Sequence, residues 1–431
     1  MTVAIVGFLA SFVLIFLRVP IAIAMGVVGF FGFGYLVSWK AASTMVALVS
    51  RDSTMTYGMV VIPLFILMGN LVAGTGVSKE LYRAAQAFLG HRRGGLATAT
   101  VMASGGFASI CGSSVATVVT MGKVAMPSMR QYGYHDGLST ASIAAGATLG
   151  ILIPPSVLMV VYGIITETHI GKLYAAGFIP GMIGILLYMV AVRWTVWRNP
   201  DAAPPAARAP WRDRIQALGG VWAALLLFVV VIGGIYSGFF TATEAAGFGA
   251  FGAFVIALVR RQLTLHKLYD ILLDSARTSA VLFALIIGAA LFTEFLNYSG
   301  AHNALLDFVT GSGFSPTAVI VVICIIYIIL GMLMESMSMI LLTVPLFFPV
   351  VIGLGFDPVW FGVLLVVLCE LGLITPPVGI NLFVMRSVAP DVPILSIIKG
   401  VIPFISVDVI RVAIIAAFPA VSLYLPNLLF G

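Results

Sequence analysis

Apolar runs of the length at which a helix spans a bilayer, roughly 20 residues, recur from end to end of the chain and are separated by short polar breaks. Val221 to Tyr236, Ala280 to Leu296, Ala318 to Met334 and Val401 to Tyr424 are clear examples. The pattern predicts an all-α polytopic membrane protein rather than a chain anchored once. The opening stretch, MTVAIVGFLASFVLIFLRVP, has no basic residue ahead of its apolar run and no small-residue cleavage site, so it is expected to be a retained helix and not a removed signal.

Two proline pairs interrupt apolar runs in nearly the same words, LGILIPPSV at 149–157 and LGLITPPVG at 371–379, 222 residues apart. The same offset aligns Ser114 with Ser336, Pro127 with Pro349, Gly133 with Gly355 and Tyr134 with Phe356. One further residue of slip puts GFIP of Gly177 to Pro180 on GVIP of Gly400 to Pro403. A register kept over so long a stretch marks two structural repeats. Between them, RNPDAAPPAARAPWRDR carries four arginines, two aspartates and four prolines and reads as a solvated linker. The predicted organisation is a first repeat over 1–197, a linker over 198–214 and a second repeat over 215–431.

Basic residues set the orientation, because Lys and Arg of short loops accumulate in the cytoplasm. With the linker placed there, the helix from about Tyr174 to Arg193 runs inward. Helices near 219–236, 241–259 and 278–297 then run out, in and out. Ala318 to Met334 and Met337 to Gly353, parted by Glu335 and Ser336, read as a re-entrant hairpin from the outside. The Pro376 helix runs inward to Arg386, and the helix after Lys399 runs out, so the GVIP helix opposes its GFIP counterpart and the repeats are inverted. His91, Arg92, Arg93, Lys123 and Arg130 fall on the inner side and flank a first hairpin with its break at Cys111 to Ser114. Arg18 is expected to mark a turn between two short helices, which leaves the amino end outside.

Composition agrees with this picture. Hydrophobic residues make up 61% of the 431 and charged residues only 9%, against roughly 25% charged in soluble domains. The net charge of +6 reflects loop arginines and is no argument for nucleic acid. Cys111, Cys324 and Cys369 sit in apolar stretches without ligand spacing, so neither a disulfide framework nor a metal cluster follows.

Candidate chemistry centres on the breaks. A proline pair removes a donor and pushes the preceding residue out of helical geometry, which frees carbonyls at membrane depth. Such backbone is tolerated only inside protein or around a polar cavity, and secondary transporters use it to bind ions and substrate between inverted repeats. Proline kinks that merely shape a bundle are the plainer reading; two related copies, each following a hydroxyl-rich tip, favour binding. The first tip, GGFASICGSSVATVVT, offers Ser109, Ser113, Ser114, Thr117 and Thr120, oxygens that suit a hard cation, although Ser and Thr also join membrane helices. The second, GMLMESMSMILLTVP, adds Glu335, and an ionisable residue so deep is functional by default unless it only hydrates the tip. Glu370 and Asn381, which flank the second proline break, carry the same ambiguity. Glu244 and Glu294 lie near helix ends, where solvation accounts for them.

The ordered set GGFASICGSSVATVVTMGKVAMPSM, GATLGILIPPS, GIYSGFFTATEAA, GMLMESMSMILLTVPLFFPV and ELGLITPPVGINLFV closely resembles the large membrane subunit of tripartite ATP-independent periplasmic (TRAP) transporters, over nearly the whole chain. The resemblance implies a multi-pass subunit of the bacterial inner membrane in a symporter driven by sodium ions. Its cargo would be an organic anion, such as a C4-dicarboxylate, sialic acid or sugar acid, delivered by a periplasmic substrate-binding protein. It also implies an elevator mechanism, with a scaffold completed by a small membrane subunit of about four helices. The crossings before the first hairpin are too few for that subunit to be contained here. Candidate sodium ligands are then Ser109, Gly112, Ser113 and Ser114 with Gly146 and Gly150, and Glu335, Ser336 and Ser338 with Gly372, Thr375 and Gly379. Candidate substrate contacts are Ser114, Thr117, Pro154, Pro155, Ser336, Pro376, Pro377 and Asn381.

An intramembrane enzyme would need convergent catalytic groups, yet His91, His135, His169, His266 and His302 all fall in or near loops and no Ser/His or paired-Asp constellation lies at membrane depth. A purely structural subunit has no use for two re-entrant polar tips. The alternative within transport is a stand-alone sodium/carboxylate symporter of the divalent-anion type.

Overall fold

In hydrocarbon every backbone donor and acceptor needs an internal partner, so apolar runs fold as helices and their exposed first turns need caps. The computed structural model describes residues 2–431 and contains helices and no strand among them. The chain begins with α1 (Thr2–Phe16), α2 (Ile21–Leu36), α3 (Trp39–Met55), α4 (Val61–Ala73) and the amphipathic α5 (Val77–Leu89). The first hairpin follows as α6 (Gly95–Cys111) and α7 (Ser114–Gln131), then a broken helix as α8 (Asp136–Gly146) and α9 (Val157–Ile165), then the long α10 (Ile170–Arg198). After the linker come α11 (Trp211–Gly220), α12 (Trp222–Phe228), a π-helical turn, and α13 (Gly234–Tyr236), with α14 (Ala242–Val259), α15 (Leu265–Ser299) and α16 (Ala301–Gly311) beyond. The second hairpin is α17 (Pro316–Gly331) and α18 (Ser336–Gly353), the second broken helix α19 (Pro358–Ile374) and α20 (Ile380–Val388), and the chain closes with α21 (Ile394–Ala417) and α22 (Ala420–Phe430).

The repeats recur in their details. Ser113 and Glu335, one offset apart, are the N-caps of the two returning hairpin arms, and each side chain accepts from a backbone N–H at 3.2 Å. His135 and Asp357, again one offset apart, cap the two broken helices. A Cβ on Gly150 would lie 2.1 Å from that of Ala108, and a Cβ on Gly372 would lie 2.6 Å from Gly331 Cα. Each break is therefore pressed backbone against backbone on its own hairpin. Both broken helices are buried and form the core: α8 is covered from Gly137 onward, and α19 from Val359 to Ile374.

Contacts at the ends show that the copies run in opposite directions. Gly94 at the mouth of the first hairpin donates to Ala203 O at 3.1 Å, and His135 at its exit donates to Ala202 O at 2.9 Å, so that hairpin opens beside the linker. The second broken helix finishes on the same side, where Arg130 pairs with Asp391 at 2.5 Å and Gly400 abuts Gly137. It starts at the other end, where Tyr162 of α9 donates to Pro358 O at 2.6 Å. α8–α9 and α19–α20 are thus antiparallel.

Around this core, α2 lies on α15 through Gly29 and Gly288, which leave room only for backbone; small residues give membrane helices this close approach. Asn70 of α4 donates to Ser275 of α15 at 2.9 Å. Thr241 and Glu244 make a capping box at the start of α14, which explains that glutamate by solvation and capping. Arg18 takes a φ of +66° in the turn between α1 and α2, as anticipated.

The linker differs from expectation. Ala202 and Ala203 are buried and Ala206 donates to Gly90 O at 2.9 Å, while 211–214 already belong to α11 and Arg214 is buried. Small alanines between prolines fit against the hairpin mouth, so the segment is bonded down rather than free in solvent. The helix expected over 278–297 starts at Leu265, because Thr264 caps a polar first segment that continues the same axis. The run expected over 219–236 is the second part of a bent pair, Trp211–Gly220 and Trp222–Tyr236, with 45° between them, and the stretch between Asn297 and Pro316 holds α16.

With the two ends assigned by these contacts and by the arginine count, single cysteines at Ala207 and at Asn303 are expected to react with an impermeant thiol reagent from opposite sides of the membrane. Labelling of both from one side, measured in oriented vesicles, would overturn the antiparallel arrangement.

Candidate functional site

Hydroxyl-rich tips become sites only if the fold brings them together. Gly112 takes a φ of +67°, a left-handed turn that a side chain would resist, and so turns the chain from α6 into α7. Ser113 then caps α7 and Thr117 donates to Ser113 O at 2.8 Å. In the second tip Glu335 Oε2 accepts from the Ser338 N–H at 3.2 Å. α4 abuts the first tip at Gly69, where a Cβ would lie 2.3 Å from Cys111 O.

Both tips and both breaks meet at one cavity of about 380 Å³. Gly112, Ser113 and Ser114 line it from the first tip, and Glu335 and Ser336 from the second. Ile151, Val157 and Leu158 enter from the first break, Leu373 and Ile380 from the second. Outside the hairpins and breaks, the wall is made by Ile66 and Asn70 of α4 and Thr278 and Leu282 of α15. No lining side chain is Lys, Arg or His. An anion placed here is therefore held by helix amino ends, hydroxyls or a bound cation rather than by a side-chain cation. The Ser336 hydroxyl and Asn381 Oδ1 are buried without a hydrogen-bond partner among the described residues, which leaves acceptor lone pairs at the second tip and beside the second break.

A family model described as "Tripartite ATP-independent periplasmic transporter, DctM component" matches residues 8–421. The chain belongs to this family. The C4-dicarboxylate TRAP transporter large permease protein DctM of Pseudomonas aeruginosa is 39% identical over 372 residues, covering 86% of each chain. The isethionate TRAP transporter permease protein DctMQ of Oleidesulfovibrio alaskensis is 32% identical over 432 residues, covering 97% of this chain and 65% of that protein. The crystal structure of the Alcanivorax borkumensis YdaH transporter, described as having an unusual topology, has the same fold with a TM-score of 0.61 at 15% identity, covering 83% of this chain and 85% of that one. The protein is accordingly a TRAP transporter large permease, a multi-pass transport protein and not an enzyme.

Within this TRAP permease the predicted residues divide. Gly112, Ser113, Ser114, Glu335 and Ser336 face the cavity. Ser114 also accepts from Asn381 Nδ2 at 2.6 Å, and that amide reaches Ala144 O at 3.0 Å, so Asn381 ties the second break to the first repeat. Ser109, Thr117, Gly146, Gly150, Ser338, Gly372, Thr375 and Gly379 stand behind the lining. Thr375 donates to Leu371 O at 2.5 Å and Ser109 to Gly106 O at 2.9 Å. Pro154, Pro155, Pro376 and Pro377 shape the breaks without lining the cavity. Asn70 and Thr278 escaped the sequence reading; a lone Asn within VIPLFILMGNLVAG was the available signal.

The sequence reading also missed an ionic cluster behind the breaks. Arg411 of α21 donates to Glu370 of α19 at 2.5 Å, and the same nitrogen lies 2.9 Å from Asp408 Oδ1. Tyr188 of α10 donates to Asp408 Oδ2 at 2.5 Å and lies 3.3 Å from the Thr148 hydroxyl, just ahead of the first break. All three charged side chains are at most 1% exposed. Gly184 makes the space: a Cβ there would lie 2.1 Å from Arg411 Nη1. Thr148 and Glu370 are separated by the repeat offset, so the cluster joins equivalent points of the two copies. Asp408 and Arg411, three apart in an apolar helix, were visible as charges at membrane depth.

Removing one partner of a buried pair leaves an uncompensated charge, at a cost of about 3–5 kcal/mol. Arg411→Met is therefore expected to lower thermal stability in detergent sharply, whereas Glu370→Gln, Asp408→Asn and Arg411→Met combined should restore most of it. Equal losses in the single and triple variants would show that the cluster acts through packing and not through charge.

Proposed function

We propose that this permease is the membrane subunit of a sodium-coupled importer of an organic anion, delivered by a periplasmic substrate-binding protein and carried by an elevator motion in the bacterial inner membrane. The observation that carries the reading is the single cavity in which both hairpin tips and both broken helices meet. Sodium needs several oxygens and little net charge. Unwound carbonyls, the Ser114 and Ser336 hydroxyls and the orphaned Asn381 Oδ1 supply them. With no basic side chain in the wall, the anion's charge is offset by the amino ends of α7 and α18 and by the bound ions, which links uptake of anion to uptake of cation. The relatives' names give a C4-dicarboxylate and isethionate, both small organic anions.

An elevator is supported by where the rigid contacts lie. Each break is fixed to its hairpin by backbone, at Gly150 and Gly372, so tips and breaks travel together, while α4 and α15 form the opposing wall. A small membrane subunit completing that wall is supported by the relative named DctMQ, of which this chain covers 65%.

Uptake of a C4-dicarboxylate into proteoliposomes under an inward sodium gradient tests the assembly. The full complex with binding protein and small subunit is expected to transport, and this chain alone to show little uptake. Full-rate uptake by the isolated chain would replace the tripartite reading with a stand-alone symporter.

The ion sites are tested separately. Ser114→Ala and Ser336→Ala should each raise the sodium concentration for half-maximal uptake, about fivefold for the loss of one neutral oxygen ligand. An unchanged sodium response in both variants would remove these hydroxyls from the site.

A further inference from the structure

The linker side of the molecule carries a basic groove that the transport site does not use. Gly94 packs on α10, where its Cβ would lie 2.9 Å from Val196, and its N–H is held by Ala203 O. This fixes Arg93 beside the end of α10, where Arg193 and Arg198 emerge. The result is a groove of about 620 Å³ lined by Arg93, Arg193, Trp194, Trp197 and Pro200. Arg198 lies over the Trp194 ring at 5.3 Å, and the two tryptophan rings are 5.4 Å apart. Trp194 is 50% exposed and Trp197 71%. Among the described residues, no carboxylate pairs with Arg93, Arg193 or Arg198.

Three properties select the occupant. Unpaired guanidinium groups favour a phosphate, which they hold by charge and by paired N–H donors. Exposed tryptophans at a helix end belong at the level of lipid headgroups. One, two and three turns deeper than Trp194, Val190, Leu186 and Met182 are exposed on the same helix and offer an apolar track for acyl chains. The His91 imidazole is held below its ordinary range by burial and then by the neighbouring Arg214, Arg208 and Arg92. We propose that the groove between Arg93 and Arg193 binds the headgroup of an anionic phospholipid, with its acyl chains along α10. The bound lipid would seal the seam between the first hairpin's mouth, the linker and α10.

The test is lipid retention by the full chain in native mass spectrometry, with phosphatidylglycerol and phosphatidylcholine as probes. Each interfacial arginine contributes about fivefold to binding of an anionic surface. Arg93→Gln with Arg193→Gln should lower bound phosphatidylglycerol about thirtyfold and leave phosphatidylcholine unchanged. Arg51→Gln, at an exposed Arg–Asp pair elsewhere, should change neither. Should the double variant fail to fold, Arg193→Gln alone is expected to lose about fivefold. Retention of phosphatidylglycerol by folded variants would overturn the site, as would an equal loss in Arg51→Gln. Displacement by inorganic phosphate at equal concentration would assign the groove to a soluble anion instead of a lipid.

Discussion

A guanidinium sealed from water has few stable arrangements, and Arg411 is held by Glu370, Asp408 and the face of the Tyr188 ring. Taking such groups out of water costs several kcal/mol per ion unless their geometry is good. The cluster therefore demands that α10, α19 and α21 hold one register together. Thr148 and Glu370 each stand a few residues ahead of a break, so this register fixes where both helices unwind. The geometry of the cavity is set from behind, by groups that do not line it.

In front of the cluster the structure works mainly through backbone. Glycines at 150 and 372 bring the breaks onto the hairpins, and helix amino ends and hydroxyls face the cavity. Such a site has no fixed side-chain cation to satisfy. Left empty, it strands no basic group, so the cavity holds no unpaired positive charge at membrane depth.

Much of this architecture was legible in the sequence because it is written in residue types with little freedom. Proline pairs, a Ser-bearing or Glu-bearing tip and the 222-residue offset locate the hairpins and breaks, and the arginine count gives antiparallel copies. What escaped depended on contacts between distant segments. A proline-rich, arginine-rich stretch has the composition of a loose tether, and nothing local reveals that Ala202 and Ala203 fit against the first hairpin's mouth. The cavity wall from α4 and α15 lies far in sequence from both tips, so only the isolated Asn70 within an apolar run hinted at it and nothing marked Thr278. The prolines themselves were read as contacts, yet they act by bending the chain and stand back from the space they create.

The pinned linker limits travel. Ala206 is the last linker residue whose backbone bonds to the first repeat, and Trp211 begins α11. The five Cα steps between them reach about 17 Å when fully drawn out. This short leash is the outer bound on how far the mouth of the first hairpin can depart from α11 before a hydrogen bond breaks or the helix frays. The stroke of the proposed elevator is thus bounded by alanine and proline spacing in a segment that lines no part of the cavity.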